Sequence, residues 1–155
     1  MEVGTGEKMC DENRRQHLEF IQSVITRMNT NSFQVKGMAV AIATALLGVY
    51  ATTSNIIFIF LGIFPTLIFW FLDSYYLQQE RKFRGIYNDV ANLKKIVEVK
   101  PYEMPIQKYT RKIDKQYSYL DVFISQTIFW LYFPMIALLV MCGTMLWLVQ
   151  LQAIR

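Results

Sequence analysis

Two long apolar blocks interrupt an otherwise polar chain. Residues 37–72 and 122–151 hold most of the hydrophobic side chains, whereas the segments beside them hold nearly all of the charged ones. A helix that crosses a hydrocarbon core about 30 Å thick needs about 20 consecutive apolar residues. The pattern therefore predicts an all-α integral membrane protein, in which lipid rather than water surrounds the two blocks.

The two blocks predict three transmembrane helices. The first block divides at a short uncharged turn, residues 52–55, so residues 32–72 are expected to form an antiparallel transmembrane hairpin. The second block is long enough for one tilted span and too short for two. A third transmembrane helix is therefore expected within residues 118–155, starting from a helix that begins near residues 111–114 and kinked at Pro134.

The polar segments also carry helical patterns. In the N-terminal segment, residues 1–31, apolar side chains recur at steps of three and four over residues 14–28. This predicts an amphipathic helix that stops in the polar run 29–32. The second span is expected to continue as one helix into the central segment, residues 73–117, and to end before Pro101. Heptad spacing along this helix predicts an apolar seam formed by Phe83, Ile86, Val90, Leu93 and Val97.

Small residues on the first span indicate close helix packing. Gly37, Ala41 and Ala45 recur every four residues, with Gly48 on an adjacent line. Small side chains let helices approach closely in lipid, where no hydrophobic force joins them. The stripe seats either the other helix of the hairpin or a second copy of the chain. The seam at residues 83–97 is longer than that of the N-terminal helix, which favours a homo-oligomer.

Charge predicts the orientation. The chain has a net charge of +4, and the turn at residues 52–55 holds no Lys or Arg. Because cytoplasmic loops are enriched in these residues, the N-terminus and the central segment are expected in the cytoplasm. Glu80 and Arg84 are expected to pair across one helical turn. Four basic residues before the last span are expected to bind anionic lipid headgroups: Lys108, Arg111, Lys112 and Lys115.

Candidate catalytic chemistry is sparse. The chain has one histidine, His17, expected on the exposed side of the first helix, and two cysteines, Cys10 and Cys142, in different segments. Phosphate-binding loops and zinc motifs are absent from the sequence, so no enzyme activity, cofactor or metal site is predicted. No nucleic-acid recognition motif accompanies the positive charge, so no nucleic-acid partner is expected. Asp73 and Asp121 either end a span, pair with a nearby Arg or Lys, or guard a pore mouth.

The apolar blocks also bear on transport. Asp, Glu, Lys and Arg are absent from the interior of every predicted span. Ion-coupled transporters normally need ionisable groups at that depth, so a secondary transporter is disfavoured. A passive pore remains open, because small or polar uncharged residues can line it.

Two runs of sequence resemble a group of small prokaryotic membrane proteins. Residues 27–37, RMNTNSFQVKG, enter the first span, and residues 70–87, WFLDSYYLQQERKFRGIY, leave the second. In these runs the chain is similar to RipA-like oligomeric membrane proteins. It is more loosely similar to the SLATT-type and type VI-B CRISPR accessory membrane proteins found beside phage-defence genes. The resemblance covers about residues 14–100.

The resemblance implies a function and an assembly. It implies a homo-oligomer in the bacterial inner membrane, such as a closed ring of about eight copies, that acts as an accessory or effector in antiphage defence. SLATT proteins mainly have two spans, so the third span is a departure from that group. Two functions stay open: an effector that alters membrane permeability, and a non-conducting membrane-anchored scaffold that recruits a soluble defence protein. The resemblance brings no catalytic residues.

Overall fold

The structure is a computed structural model that describes the backbone of residues 3–153 and the side chains of residues 11–145, 147–149 and 152. All regular structure within residues 3–153 is helical. Two single turns of 3-10 helix, Ile106–Lys108 and Lys115–Tyr117, lie in the loop between the second and third α-helices. The α-helices in chain order are α1, Val3–Thr53; α2, Ile57–Val90; α3, Tyr119–Phe123; and α4, Gln126–Ala153.

Three of these helices, α1, α2 and α4, are long and apolar enough to cross a membrane. Their outer faces carry large apolar side chains, among them Phe64 and Trp130, which are each 69% exposed. Contiguous apolar surface of this extent is unfavourable in water and ordinary in lipid. The prediction of an all-α membrane protein with three candidate spans is confirmed.

Helix α1 is continuous through the polar run 29–32, so the predicted helix break there is wrong. Asn, Thr and Ser cost only about 0.7 kcal/mol or less each in a helix interior. Ile25 and Val35 are buried on the two sides of this run, and Ser32 is buried within it. Packing on both sides therefore outweighs the local preference of the run for a turn.

Helix α2 ends at Val90, well before Pro101. Asn92 adopts a left-handed conformation with φ of 60°, which ends the helix and turns the chain back. The expectation that this helix continues unbroken to about Val99 is therefore wrong. Leu93 and Val97 of the predicted seam lie in the loop after α2 instead of on its face.

The last long helix also starts later than predicted. Residues 111–114 form turns, and Asp114 accepts a hydrogen bond from the Gln116 backbone N–H at 3.0 Å. The chain then forms the short helix α3, and α4 begins only at Gln126. Pro134 lies inside α4, which continues through it as one helix. Pro65 lies within α2 in the same way.

The chain separates into two compact units. The polar unit comprises the described residues up to Asn31 together with Tyr76–Val122. The span unit comprises Ser32–Tyr75 together with the described residues from Phe123 onward. Each unit has its own packed interior, and each is described by itself below.

The core of the polar unit contains apolar residues of the predicted N-terminal amphipathic helix, of the predicted seam on α2 and of the loop after α2. Its buried members are Ile21, Ile25, Phe83, Ile86, Tyr109 and Tyr117. Val90 and Val97 pack against this core, whereas Leu93 is 70% exposed. Because the chain's own loop covers most of the seam, the expectation that the seam needs a second copy to cover it is wrong. Glu80 and Arg84 pair at 2.7 Å, as predicted.

The core of the span unit is built on small residues. A Cβ added at Gly62 would lie 3.4 Å from Leu139 Cδ2 and 3.8 Å from Leu46 Cβ. One added at Gly143 would lie 3.3 Å from Ile59 Cγ2. These glycines let α2 approach α1 and α4 closely, which is how helices associate in lipid.

Candidate functional site

The predicted small-residue stripe lies on the outside of the span unit. The buried face of α1 in this unit is formed by Ser32, Val35, Ala39, Ala43 and Tyr50. Gly37, Ala41, Ala45 and Gly48 are instead exposed, and a Cβ added at either glycine would meet nothing within 4 Å. The alternative that this stripe seats the other helix of the hairpin is therefore wrong.

A buried ion pair joins α1 to α2 in the span unit. Lys36 Nζ donates to Asp73 Oδ1 at 2.7 Å and to Ser32 Oγ at 2.6 Å. Ser32 Oγ in turn donates to Asp73 Oδ1 at 2.5 Å. Asp73 is fully buried, and the Lys36 side chain is 24% exposed. A buried carboxylate is tolerated when a cation and hydrogen bonds compensate its lost hydration. Of the roles left open for Asp73, the structure supports pairing with a cation.

Helix α4 meets this ion pair through Tyr132. The Tyr132 hydroxyl lies beside the Asp73 carboxylate. Neither Tyr132 OH nor Asp73 Oδ2 has a hydrogen bond of good geometry in the described part of the chain. The Tyr132 ring stacks on Trp70 at 5.8 Å, and Trp70 Nε1 donates to the Phe123 carbonyl at 3.1 Å. The three long helices α1, α2 and α4 therefore each contribute at least one side chain to one cluster of polar residues within the span unit.

Asp89 organises the loop of the polar unit. Its Oδ1 accepts the Ile96 N–H at 2.8 Å, and its Oδ2 accepts the Val97 N–H at 3.2 Å and the Tyr109 hydroxyl at 2.5 Å. Burial, and then the hydrogen bond to Asp89, raise the pKa of Tyr109 well above its ordinary value. Burial also raises the pKa of Tyr117. Asp89 is not predicted from the sequence, because its partners lie in a loop whose path no local pattern shows.

A cavity of about 480 Å³ lies in the polar unit beside this loop. Its walls come from Asn13, Arg14 and His17 of α1, from the last two residues of α2 and from the loop after α2. His17 is 2% exposed, so the expectation that it lies on the exposed side of its helix is wrong. Burial lowers the pKa of His17, and the nearby Glu103 carbonyl partly offsets this.

The basic residues predicted to bind lipid headgroups are all exposed in the polar unit. These are Lys108, Arg111, Lys112 and Lys115. Lys108 Nζ lies 3.7 Å from Glu103, and Arg111 Nε lies 3.5 Å from Asp121 Oδ2. Asp121 therefore has a cationic neighbour, although this contact is too long for a good hydrogen bond.

Metal-binding and redox groups are few among the described side chains. Within them, no group of three or more His, Cys, Asp or Glu residues could hold a metal ion. Cys142 has a free thiol, and its carbonyl accepts the Tyr50 hydroxyl at 3.2 Å. The side chain of Cys10 lies outside the described residues.

Comparison of the chain with protein-family models, with curated proteins and with solved structures gave no match. The class of the protein is therefore defined by its own fold. It is a small all-α membrane protein with three candidate spans and a separate polar unit.

Proposed function

We propose that the protein is a homo-oligomeric accessory or effector of the bacterial inner membrane that perturbs the membrane during antiphage defence. The outward-facing stripe of small residues on α1 is the observation that carries this proposal. In addition, the proposal rests on the sequence resemblance to RipA-like and SLATT-type proteins.

The stripe supports self-association, because small side chains allow the backbones of two helices to come close together. Helix surfaces that face only lipid do not need small residues, whereas helices in contact need them for close backbone approach. Gly37, Ala41, Ala45 and Gly48 form such a surface and are not covered by the chain itself. A second copy that packs there with cyclic symmetry would close a ring, for example of about eight copies.

The distribution of charge supports a passive pathway. Lys36 and Asp73 pair at the ends of the uncharged stretches of α1 and α2, and the uncharged helix α4 supplies only the tyrosine beside them. A passive pore can be lined by uncharged residues or closed by a hydrophobic gate. In this proposal the N-terminus and polar unit lie in the cytoplasm, as the positive-inside rule predicts.

Membrane potential and dye entry test this function. Bacteria that carry the protein with its neighbouring genes should depolarise and admit a membrane-impermeant dye when phage infection triggers protection. Ala41→Leu should abolish both effects, whereas Val40→Leu, an enlargement beside the stripe, should preserve them. Protection that proceeds with an intact membrane potential would exclude the pore mechanism.

A non-conducting scaffold is the second candidate. It is favoured by an exposed set of basic side chains in the polar unit, which could recruit an acidic soluble partner: Lys94, Lys95, Lys108 and Arg111. Replacing all four by Glu should abolish capture of a defence protein encoded by a neighbouring gene in a pull-down. Unchanged capture would argue against this function.

A further inference from the structure

The loop after α2 runs back along that helix within the polar unit. Near the end of α2, the backbone N–H groups of Ile96 and Val97 donate to the Asp89 carboxylate. Further along the loop, the Tyr117 carbonyl accepts a hydrogen bond from Gln78 Nε2 at 2.8 Å. Gln78 lies eleven residues before Asp89 on α2, which is about 16 Å at 1.5 Å per residue. The loop has therefore returned toward the apolar part of α2 by the time it reaches Tyr117.

The returning end of the loop lies beside the first polar turns of α2. The apolar block that predicts the second span ends at Leu72. Gln78 lies six residues beyond Leu72 on the same helix, or about 9 Å along its axis. The headgroup layer on each side of a bilayer is about 5–8 Å thick. With α2 as a span, the backbone at Tyr117 therefore lies close to the headgroup layer.

The chain enters its last candidate span shortly after this point. Helix α3 ends at Phe123, and α4, which is long and apolar enough to cross a membrane, begins three residues later at Gln126. Three residues reach at most about 11 Å when fully extended. The entry into α4 therefore also keeps α3 near the membrane surface.

Three cations are exposed in the segment just before α3, and two of them are unpaired. The three are Arg111, Lys112 and Lys115. Arg111 has Asp121 of α3 as a neighbour at 3.5 Å, and this contact is solvent-exposed and therefore weak. Neither Lys112 nor Lys115 forms an ion pair in the described part of the chain.

The carboxylate nearest to these lysines in the sequence, Asp114, is already engaged. Its two oxygens accept hydrogen bonds from the backbone N–H and the side-chain amide of Gln116, at 3.0 and 2.8 Å. The partly buried Arg81 lies close enough to interact with its charge. Lys112 and Lys115 therefore leave an excess of positive charge on this surface.

Large apolar side chains follow these cations along the chain. Leu120 on α3 is 64% exposed, and Ile124, directly after α3, is 68% exposed. Exposed apolar side chains close to cations are typical of a segment at the boundary between headgroups and acyl chains. We propose that this surface binds an anionic phospholipid, whose phosphate pairs with Lys112 and Lys115 and whose acyl chain contacts Leu120.

An acidic protein is the other anionic partner to weigh for such a surface. The lipid is favoured because Lys115 precedes the candidate span α4 by only eleven residues, and because attraction to anionic lipid acts within a Debye length of about 8–10 Å. Lipid binding requires neither oligomerisation nor conduction, so it can fail while the proposed function stands.

Native mass spectrometry of the full-length protein in detergent tests the site. Dioleoyl phosphatidylglycerol and dioleoyl phosphatidylcholine serve as probes, because they have the same acyl chains and only the first has a net negative headgroup. We expect the protein to bind phosphatidylglycerol at least about tenfold more tightly, since each basic residue near the surface contributes about fivefold.

Two other lysines of the same loop provide a matched control. Lys94 and Lys95 are exposed, and the Lys94 backbone N–H donates to the Asn88 carbonyl at 3.4 Å. Asn88 lies ten residues beyond Gln78 on α2, or about 15 Å further from the apolar part of that helix. These two lysines are therefore more than a Debye length from the proposed site.

The two double variants remove the same net charge. Lys112→Gln/Lys115→Gln should weaken the binding of phosphatidylglycerol at least about tenfold and leave that of phosphatidylcholine unchanged. Lys94→Gln/Lys95→Gln should change the binding of phosphatidylglycerol less than about twofold. Equal binding of the two lipids by the unaltered protein, or equal effects of the two double variants, would each overturn the proposal.

Discussion

Gly85 and Asp89, one helical turn apart on α2, together position Tyr109 in the polar unit. The Tyr109 ring packs against the backbone at Gly85, and its hydroxyl donates to Asp89. Tyr117 meets the Tyr109 ring edge-on at 5.4 Å. Both the ring and the hydroxyl of Tyr109 therefore contact α2. Small changes at any of these residues should lower the stability of the polar unit.

Gly85→Ala should destabilise the polar unit. The added Cβ would lie 2.6 Å from Tyr117 Oη and 2.8 Å from two ring carbons of Tyr109. Overpacking of this kind costs about 1–3 kcal/mol, which exceeds the gain of about 1 kcal/mol from replacing a helical glycine. Thermal unfolding in detergent should show a lower midpoint. Ser23→Ala, on the exposed surface of α1 in the same unit, should show no loss, because surface substitutions usually change stability by less than about 0.5 kcal/mol, and an equal loss in both variants would contradict this explanation.

Stability should fall as the pH rises above 10. Burial and Asp89 raise the pKa of Tyr109 above its ordinary value of 10.0, so the unfolded chain releases this proton at lower pH than the folded chain does. Deprotonation then favours the unfolded state. Tyr109→Phe should make the loss of unfolding midpoint above pH 10 less steep. The exposed Tyr102 provides the control, Tyr102→Phe, and the same slope in both variants would contradict the assignment.

Between elements, Lys36 on α1 and Asp73 on α2 form an ion pair within the span unit. Removing one partner of a buried ion pair leaves an uncompensated charge, at a cost of about 3–5 kcal/mol. Lys36→Leu, which leaves the fully buried Asp73 without its cation, should therefore lower the yield and the unfolding midpoint of the protein in detergent. The double variant Lys36→Leu/Asp73→Leu should recover much of the loss. A double variant no better than Lys36→Leu would count against a charge-based cost.

Solvent-exposed ion pairs should behave differently. Arg15 pairs with Glu12 at 2.8 Å on the surface of α1, where water screens the charges. Arg15→Ala should leave the unfolding midpoint unchanged within error. This variant is the control for the loss of a positive charge in the Lys36 series.

Two alanines on α1 separate assembly from folding. Ala41 lies in the exposed stripe, and Ala43 is only 2% exposed and faces the interior of the span unit. Ala41→Leu should reduce the oligomer mass measured by light scattering in detergent without lowering the unfolding midpoint of the single chain. Ala43→Leu should lower that midpoint, because its bulk has no space in the interior. An unchanged mass for Ala41→Leu would contradict packing between copies at the stripe.

At the scale of the molecule, the orientation proposed from the positive-inside rule puts the connection between α1 and α2, at Ser54 and Asn55, outside the cytoplasm. The same orientation puts the loop after α2 in the cytoplasm. In a chain with Cys10→Ser and Cys142→Ser, Thr52→Cys should react with an impermeant maleimide in intact cells. Lys94→Cys should react only after the cells are permeabilised. The reverse pattern would invert the proposed orientation.

The sequence by itself determined the membrane class and the three candidate spans. A bilayer imposes length and composition on each span separately, so a single stretch of sequence carries the whole requirement. It also predicted the Glu80–Arg84 pair, because the helical repeat alone brings residues four apart together. The stripe on α1 was recognised from the same repeat, but which partner it faces was not.

Only the tertiary structure decided where the helices end and what the polar residues contact. The run 29–32 stays helical because packing holds α1 on both sides, and α2 ends early because Asp89 binds a loop that no periodicity describes. His17 and Asp73 are buried through contacts with residues far away in the chain. The free energy of placing a segment in lipid depends on the sequence of that segment alone, whereas these contacts depend on which distant segments pack together.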